Sequence, residues 1–251
     1  MTEKTKRSIF FRPQVNPFVM LFVERSGSTY LTTLLNSHPD VYAQGEKFDA
    51  MRQQGKGARE QLEWAEAVLT PPLVGRNKAR GFKTKTMDIL DPDGLAGLMR
   101  RLHCKVIQLQ RRNLVKAVVS TVNAKRLWEK AGTWNLLDEK NRLSEFAINP
   151  DVFDELLQQR IQWDDELESY VQSLHLPTLK LYYEELLTDE TGFVRRIYDF
   201  LEIKPKPARG ITLKNTKDDL RQVLLNFDEL REKYAGTRYQ AMFDEVLLPE
   251  A

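Results

Sequence analysis

The segment Arg25-Ser26-Gly27-Ser28-Thr29 carries the parts of an anion site. Glycine lets backbone come close to a ligand, hydroxyls donate hydrogen bonds, and the free N–H groups of a helix that starts here attract negative charge. Serine is also a frequent helix cap, so the turn by itself marks only a helix start. Its setting says more. Phe18-Val19-Met20-Leu21-Phe22-Val23 runs into it and is apolar on both faces, the pattern of a central strand covered by helices. Leu31, Leu34 and Leu35 follow at helical spacing until Ser37-His38-Pro39 ends the helix.

The turn is not a Walker A loop. That motif needs Gly-x-x-x-x-Gly-Lys-Ser/Thr, with lysine on the outer phosphates and a hydroxyl on magnesium, and neither Gly27 nor Gly45 begins such a series. A carboxylate closing an apolar strand is matched only by Asp91 after Ile89-Leu90, whereas the strand ending at Gln110 meets two arginines. The reading is a phosphate ligand held without an obligatory metal. A nucleotide kinase, an NTPase and a nucleotide binder without chemistry are the competing functions.

The elements that must position this turn repeat one grammar. Lys105–Gln110 reads as a strand followed by Arg111-Arg112-Asn113 and a helix from Leu114 to about Trp128. Thr178–Tyr183 reads as another, followed by Glu184-Glu185-Leu186 and a helix to about Leu201. Gly81-Phe82-Lys83-Thr84 is a shorter candidate, and Val152–Leu174 reads as a long amphipathic helix. Alternating strands and helices predict an α/β fold of three layers, P-loop-like, with a central mainly parallel sheet whose ligands sit at the strands' carboxyl ends. Residues 1–251 read as one domain, with insertions at about 51–79 and 128–150.

Composition bounds the partners. With 38 Lys+Arg against 36 Asp+Glu the net charge is +2, without the basic excess of a protein that coats nucleic acid or anionic membrane. The single cysteine, Cys104, excludes an intramolecular disulfide, and no Cys/His cluster has zinc-site spacing. The apolar run at Phe18–Val23 is too short to span a membrane, so the expected location is the cytoplasm.

Several segments together resemble the sulfotransferases that use 3′-phosphoadenosine 5′-phosphosulfate (PAPS). Phe22–Thr29 with Leu34-Leu35-Asn36-Ser37-His38-Pro39 resembles the family's 5′-phosphosulfate loop and the helix behind it. Arg112 and Ser120, eight apart, resemble its 3′-phosphate pair. Tyr183-Glu184-Glu185-Leu186 resembles its Tyr-Glu-Asp-Leu segment, and Phe200-Leu201-Glu202-Ile203 its Phe-Leu-Gly helix ending. The style is closer to the bacterial carbohydrate-type and tyrosylprotein-type branches. Leu114 stands where the family usually has proline, and only Lys214-Asn215-Thr216 lies where the cytosolic branch has its closing Arg-Lys-Gly loop.

The resemblance implies a co-substrate, PAPS, a product, 3′-phosphoadenosine 5′-phosphate (PAP), and no metal. It implies an acceptor hydroxyl, in preference to an amine, on a small molecule, carbohydrate or peptide. Cofactor contacts are expected from Arg25, Ser26, Gly27, Ser28, Thr29, Arg112, Ser120 and Tyr183, the last against adenine. An arginine at a strand end can fork onto phosphate oxygens, and a serine two helical turns on can add a hydroxyl from the same edge. Lys116 shares that face, and Arg111 is the alternate arginine. Sulfuryl transfer needs a base and positive charge on the leaving oxygen. Glu46 is the expected base, and Arg25 and Lys83 are the expected cations, with Lys85 as alternate to Lys83. Trp128 and Trp134 could stack on an acceptor ring or pin a lid.

Overall fold

A computed structural model describes residues 15–72, 77–211, 214 and 216–248. Along the chain these form β1 (Asn16–Phe22), α1 (Ser28–Asn36), β2 (Val41–Gln44), α2 (Lys47–Gln53), α3 (Ala58–Leu69), β3 (Ala79–Thr84) and α4 (Pro92–Arg101). Then come β4 (Lys105–Gln110), α5 (Leu114–Ala131), α6 (Pro150–Leu174), β5 (Thr178–Tyr182), α7 (Tyr183–Thr188), α8 (Glu190–Phe200), α9 (Phe227–Lys233) and α10 (Gln240–Asp244).

The strands make one sheet in the order β2-β3-β1-β4-β5, and every pairing is parallel. Central β1 is buried on both faces, and its side chains divide by parity. Phe18, Met20 and Phe22 pack with Leu31, Leu34 and Leu35 of α1 and Phe193 and Ile197 of α8. Val19, Leu21 and Val23 pack on the other side with Ala65 and Leu69 of α3, Leu95 and Met99 of α4 and Leu167 and Val171 of α6. Each fully buried Leu, Val or Phe contributes about 1.5–3 kcal/mol, so the double-sided strand is where the fold is anchored. In the register Met20 lies opposite Lys83 on β3 and Ile107 on β4. The chain turns of β1, β3 and β4 therefore come out at the same sheet edge. A third apolar cluster joins Val115, Val118 and Val119 of α5 to Phe153 and Leu157 of α6 and to Leu220, Phe227 and Phe243.

The expected strands occur, with β3 extended back to Ala79, and β2 was not anticipated. The helix expected to run from Glu184 to Leu201 is two helices. Asp189 interrupts it, its carboxylate accepting the N–H of Gly192 to cap α8. Within 51–79, expected to be an insertion, α3 lies against the sheet, with Trp64 edge-on to Phe48 and Phe82. Residues 73–76 of that stretch lie outside the described residues. In 128–150, α5 ends at Gly132, whose φ of 65° closes the helix, and irregular chain follows. Trp128 and Trp134 stack on each other, both about half exposed. No described helix is long and apolar enough to cross a membrane.

Candidate active site

The chain leaves β1 through a turn made from opposite hands of backbone. Arg25 has φ 60° and Gly27 φ 81°, and Ser26 lies between them. A Cβ on Gly27 would stand 2.6 Å from the Tyr183 ring, so both the conformation and the space call for glycine. Two arginines pin the carbonyls of this turn. Arg160 of α6 donates to the Glu24 carbonyl at 2.5 Å, and Arg111 donates to the Arg25 carbonyl at 3.3 Å. Ser26 is fully buried and its hydroxyl donates to the Val23 carbonyl at 2.6 Å. Its side chain is thus spent on folding the turn, and only its backbone is left for a ligand.

The two strand-to-helix junctions differ in a way that decides which can take an anion. At α5, Asn113 caps the N–H of Lys116, and the Glu184 carboxylate accepts the N–H groups of Arg112 and Asn113, each at 3.0 Å. That N-terminus already holds its negative charge. At α1, Gly27 supplies no side-chain cap, and the first internal bond is from the Leu31 N–H to the Gly27 carbonyl. The first turn of α1 is thus without a side-chain cap, and its residues Ser28, Thr29 and Tyr30 line a cavity, an arrangement open to an anion.

That cavity, about 360 Å³, is walled by Arg25, Gly27, Ser28, Thr29 and Tyr30 from the turn and α1, and by Arg111 and Ser120 from the β4 edge and α5. Tyr183, Leu186, Leu187 and Glu190 form another side, and Asn135, Leu136, Lys214, Thr216 and Leu248 complete it. Arg25 donates from Nε to the Ser120 hydroxyl at 3.1 Å. The Arg111 guanidinium lies 4.8 Å from the Tyr183 ring centroid; its Nε is 3.9 Å from Glu184 and has no hydrogen-bond partner among the described residues. Arg111 lines the cavity as a buried cation, and a cation held in a cavity wall is fitted to an incoming anion. Burial lowers the proton affinity of both Arg25 and Arg111, which Glu24 opposes at the first and Tyr183 and Glu184 at the second.

Beside the hydroxyls of α1 sits the expected base–cation pair. Lys83, 4% exposed, directs Nζ to Thr29 Oγ1 at 2.9 Å, to Ser28 Oγ at 3.3 Å and to Glu46 Oε1 at 2.8 Å. β3 carries it there because Lys83 pairs in register with Met20, two residues before the end of β1. Glu46 is the residue before α2, and its other oxygen is 3.8 Å from Lys85 Nζ. Burial lowers the pKa of Lys83, with Glu46 opposing it. For Lys85 burial also works against the charge, but Asp88 and Glu46 outweigh it and the pKa is raised.

Not every expected residue joins this group. Arg112, with a side chain 52% exposed, is outside the cavity walls; it binds Glu185 at 2.5 Å and lies over the Tyr182 ring at 3.9 Å. Both arginines follow the end of β4 at Gln110, and Arg111, not Arg112, lines the cavity. Tyr183 meets the backbone of Gly27 and the Arg111 guanidinium, so it walls the turn between β1 and α1. Lys116 is buried against Asp218 at 3.1 Å. His38 is held between the Asp40 N–H and the Lys204 carbonyl. Lys214 and Thr216 reach the cavity, as does the unanticipated Leu248. Asn215 is outside the described residues. Glu184 carries no local signal, because the N–H groups it accepts belong to Arg112 and Asn113, 72 and 71 residues away, and for Asp218 only Lys214 is near in sequence, Lys116 being 102 residues away.

The sequence from residue 16 to 240 matches the family model described as the sulfotransferase domain. The chain belongs to the sulfotransferase family. Its relatives include Nodulation protein H of Rhizobium meliloti (strain 1021), 27% identical over 241 residues, covering 91% of this chain and 95% of that protein. The Rhizobium tropici protein of the same name is 24% identical over 247 residues, covering 92% and 94%. Among solved structures, a sulfotransferase from Alicyclobacillus acidocaldarius covers 93% of this chain and 97% of its own, at 16% identity and a TM-score of 0.47. The sulfotransferase domain of the Synechococcus PCC 7002 olefin synthase covers 96% and 93%, at 18% identity and a TM-score of 0.43. This sulfotransferase has no group of three or more metal-binding side chains among its described residues.

Proposed function

We propose that the chain moves the sulfuryl group of PAPS to an acceptor hydroxyl. The observation that carries this reading is the convergence of an uncapped helix N-terminus, Arg25, Arg111 and the Lys83–Glu46 pair on one sheet edge. The first-turn N–H groups of α1, with Ser28 and Thr29, would hold the 5′-phosphosulfate. Arg111 and Ser120, both in the cavity wall, would hold the 3′-phosphate, and Leu186 and Leu187 would border the adenosine. Tyr183 would keep Arg111 facing inward.

In the reaction an acceptor oxygen attacks sulfur, the bond from sulfur to the 5′-phosphate oxygen breaks in line, and PAP departs. Glu46 takes the acceptor's proton. Lys83, already on the hydroxyls of the phosphate turn, and Arg25 neutralise the charge that grows on the leaving oxygen. The acceptor is a small molecule, a carbohydrate or a peptide, and the protein works in the cytoplasm.

Calorimetry with PAP and ADP tests the donor. Both carry adenine and ribose, but only PAP brings a 3′-phosphate to Arg111, so PAP is expected to bind tighter. Arg111→Ala should weaken PAP by about 2–5 kcal/mol, the cost of truncating one member of a buried charged pair, with ADP nearly unaffected. Equal affinity of the wild-type protein for PAP and ADP rejects the PAPS reading.

A further inference from the structure

Beyond Lys83, a second line of charge runs from Glu46 away from the phosphate turn. Lys85 Nζ stands 3.8 Å from Glu46 Oε2 and 3.4 Å from Asp88 Oδ2. Asp88 is completely buried, and its other oxygen lies 3.1 Å from Arg52 on α2. Signs alternate along the whole chain: Arg52, Asp88, Lys85, Glu46, Lys83. Neither oxygen of Asp88 has a hydrogen bond within range among the described residues, so these two cations are its compensation.

The burial of Asp88 is built and not incidental. It ends a 3₁₀ turn at Thr86–Asp88, and the buried Gln61 of α3 fastens that turn. Gln61 donates to the Asp88 carbonyl at 2.9 Å and to the Phe48 carbonyl at 3.3 Å, and accepts the Leu90 N–H at 3.0 Å. One side chain thereby ties the turn to α2, the helix that Glu46 begins. A buried carboxylate is costly to hold, and the proposed transfer by itself gives no role to this one.

We propose, resting on the reading of Glu46 as the base, that Lys85 and Asp88 are positioning residues that set how readily Glu46 accepts a proton. Asp88 holds Lys85 at 3.8 Å from the Glu46 carboxylate, whereas Lys83 is in contact at 2.8 Å. When Lys83 turns to the leaving oxygen, Lys85 is the cation that remains beside Glu46, kept from full contact by Asp88. Too close a cation would make Glu46 a poor base, and none would leave it protonated too readily. The other charges in reach are Arg25 and Lys83 around Glu46, Glu24 and Asp49 around Lys85, and Asp49 around Asp88. Among the described residues only Asp88 and Glu46 are within ion-pair range of Lys85.

The titration needs no acceptor. Protein labelled with ¹³C at glutamate carboxyls is titrated with PAP present, and the signal missing in Glu46→Gln is assigned to Glu46. Lys85→Met removes a cation and should raise the Glu46 midpoint by about one pH unit, the lower end for an opposite charge within 4–6 Å. Asp88→Asn releases Lys85 toward Glu46 and should lower the midpoint by about half a unit. Lys85→Arg keeps the charge and should stay near wild type. A midpoint unmoved by Lys85→Met, or moved the same way by Lys85→Met and Asp88→Asn, overturns the proposal. If Asp88→Asn does not fold, the contrast of Lys85→Met with Lys85→Arg still decides. Undiminished turnover of Glu46→Gln would instead remove the base reading, whatever the midpoints do.

Discussion

Lys83 touches the two hydroxyls that open α1 and the carboxylate proposed as base, so a single ammonium would link the proposed nucleotide and acceptor positions. Glu46→Gln is expected to keep PAP affinity and lose roughly 10²–10⁴-fold in turnover, the range for a general base. Lys83→Ala should likewise damage turnover more than PAP binding; single-turnover kinetics beside calorimetry separates the two. If both variants turn over near the wild-type rate, the acid–base assignment is wrong. Arg112→Ala should leave PAP affinity nearly unchanged by calorimetry, since Arg112 is outside the cavity walls and paired with Glu185. Lys83 could be read in the sequence because a lysine among Gly81, Phe82 and Thr84 has no reason to lie in an apolar strand. The choice between Arg111 and Arg112 could not. It depends on which neighbour faces the cavity as β4 ends, and on Glu184 and Glu185, which β5 and α7 bring from more than 70 residues away.

At the scale of the element, the difference between α1 and α5 is the presence of a cap. Gly27→Ala would force a methyl toward Tyr183 in a left-handed conformation, and is expected to weaken PAP while leaving most of the fold. Calorimetry with thermal unfolding as control checks it, and unchanged PAP affinity would show that the turn does not depend on this approach. Asn113→Ala should act the other way, costing about 0.5–2 kcal/mol of stability as a lost cap, because Glu184 keeps charge at that N-terminus. β1 was legible as a run apolar on both faces, and β4 and β5 as strand-like runs that repeat its strand-turn-helix grammar. β2 was not: four residues with alternating burial, beside a loop that continues to Glu46, give too short a period to read. The helix ending at Phe200-Leu201 was legible by analogy, and Glu202 there adopts φ 56°, the left-handed backbone glycine would take freely.

For the whole molecule, the cavity depends on chain far from the phosphate turn. Asp218 receives Lys214 at 2.6 Å and Lys116 at 3.1 Å on one oxygen, and the N–H groups of Leu247 and Leu248 at 2.5 and 3.0 Å on the other. Burial opposes its charge, yet Lys214 and those two amides hold its carboxyl well below the usual carboxylate range. Its folded value lies below its unfolded value of about 3.9, so its contribution is complete above that pH and declines as pH falls further. Urea unfolding from pH 7 down to about 2 should show a steeper acid loss in the wild-type protein than in Asp218→Asn; equal slopes would contradict the role given to Asp218. Asn113 adds a second fastening, donating to the Met242 carbonyl and to Glu245, each at 2.8 Å. The order of synthesis then matters. A growing chain can assemble β1, α1, β3 and β4, with both arginines and Lys83 in reach, long before Leu247 and Leu248 leave the ribosome. Until they do, the cavity beside the turn after β1 lacks one wall, so the proposed capacity to retain nucleotide would follow only after the residues that open the site are already made.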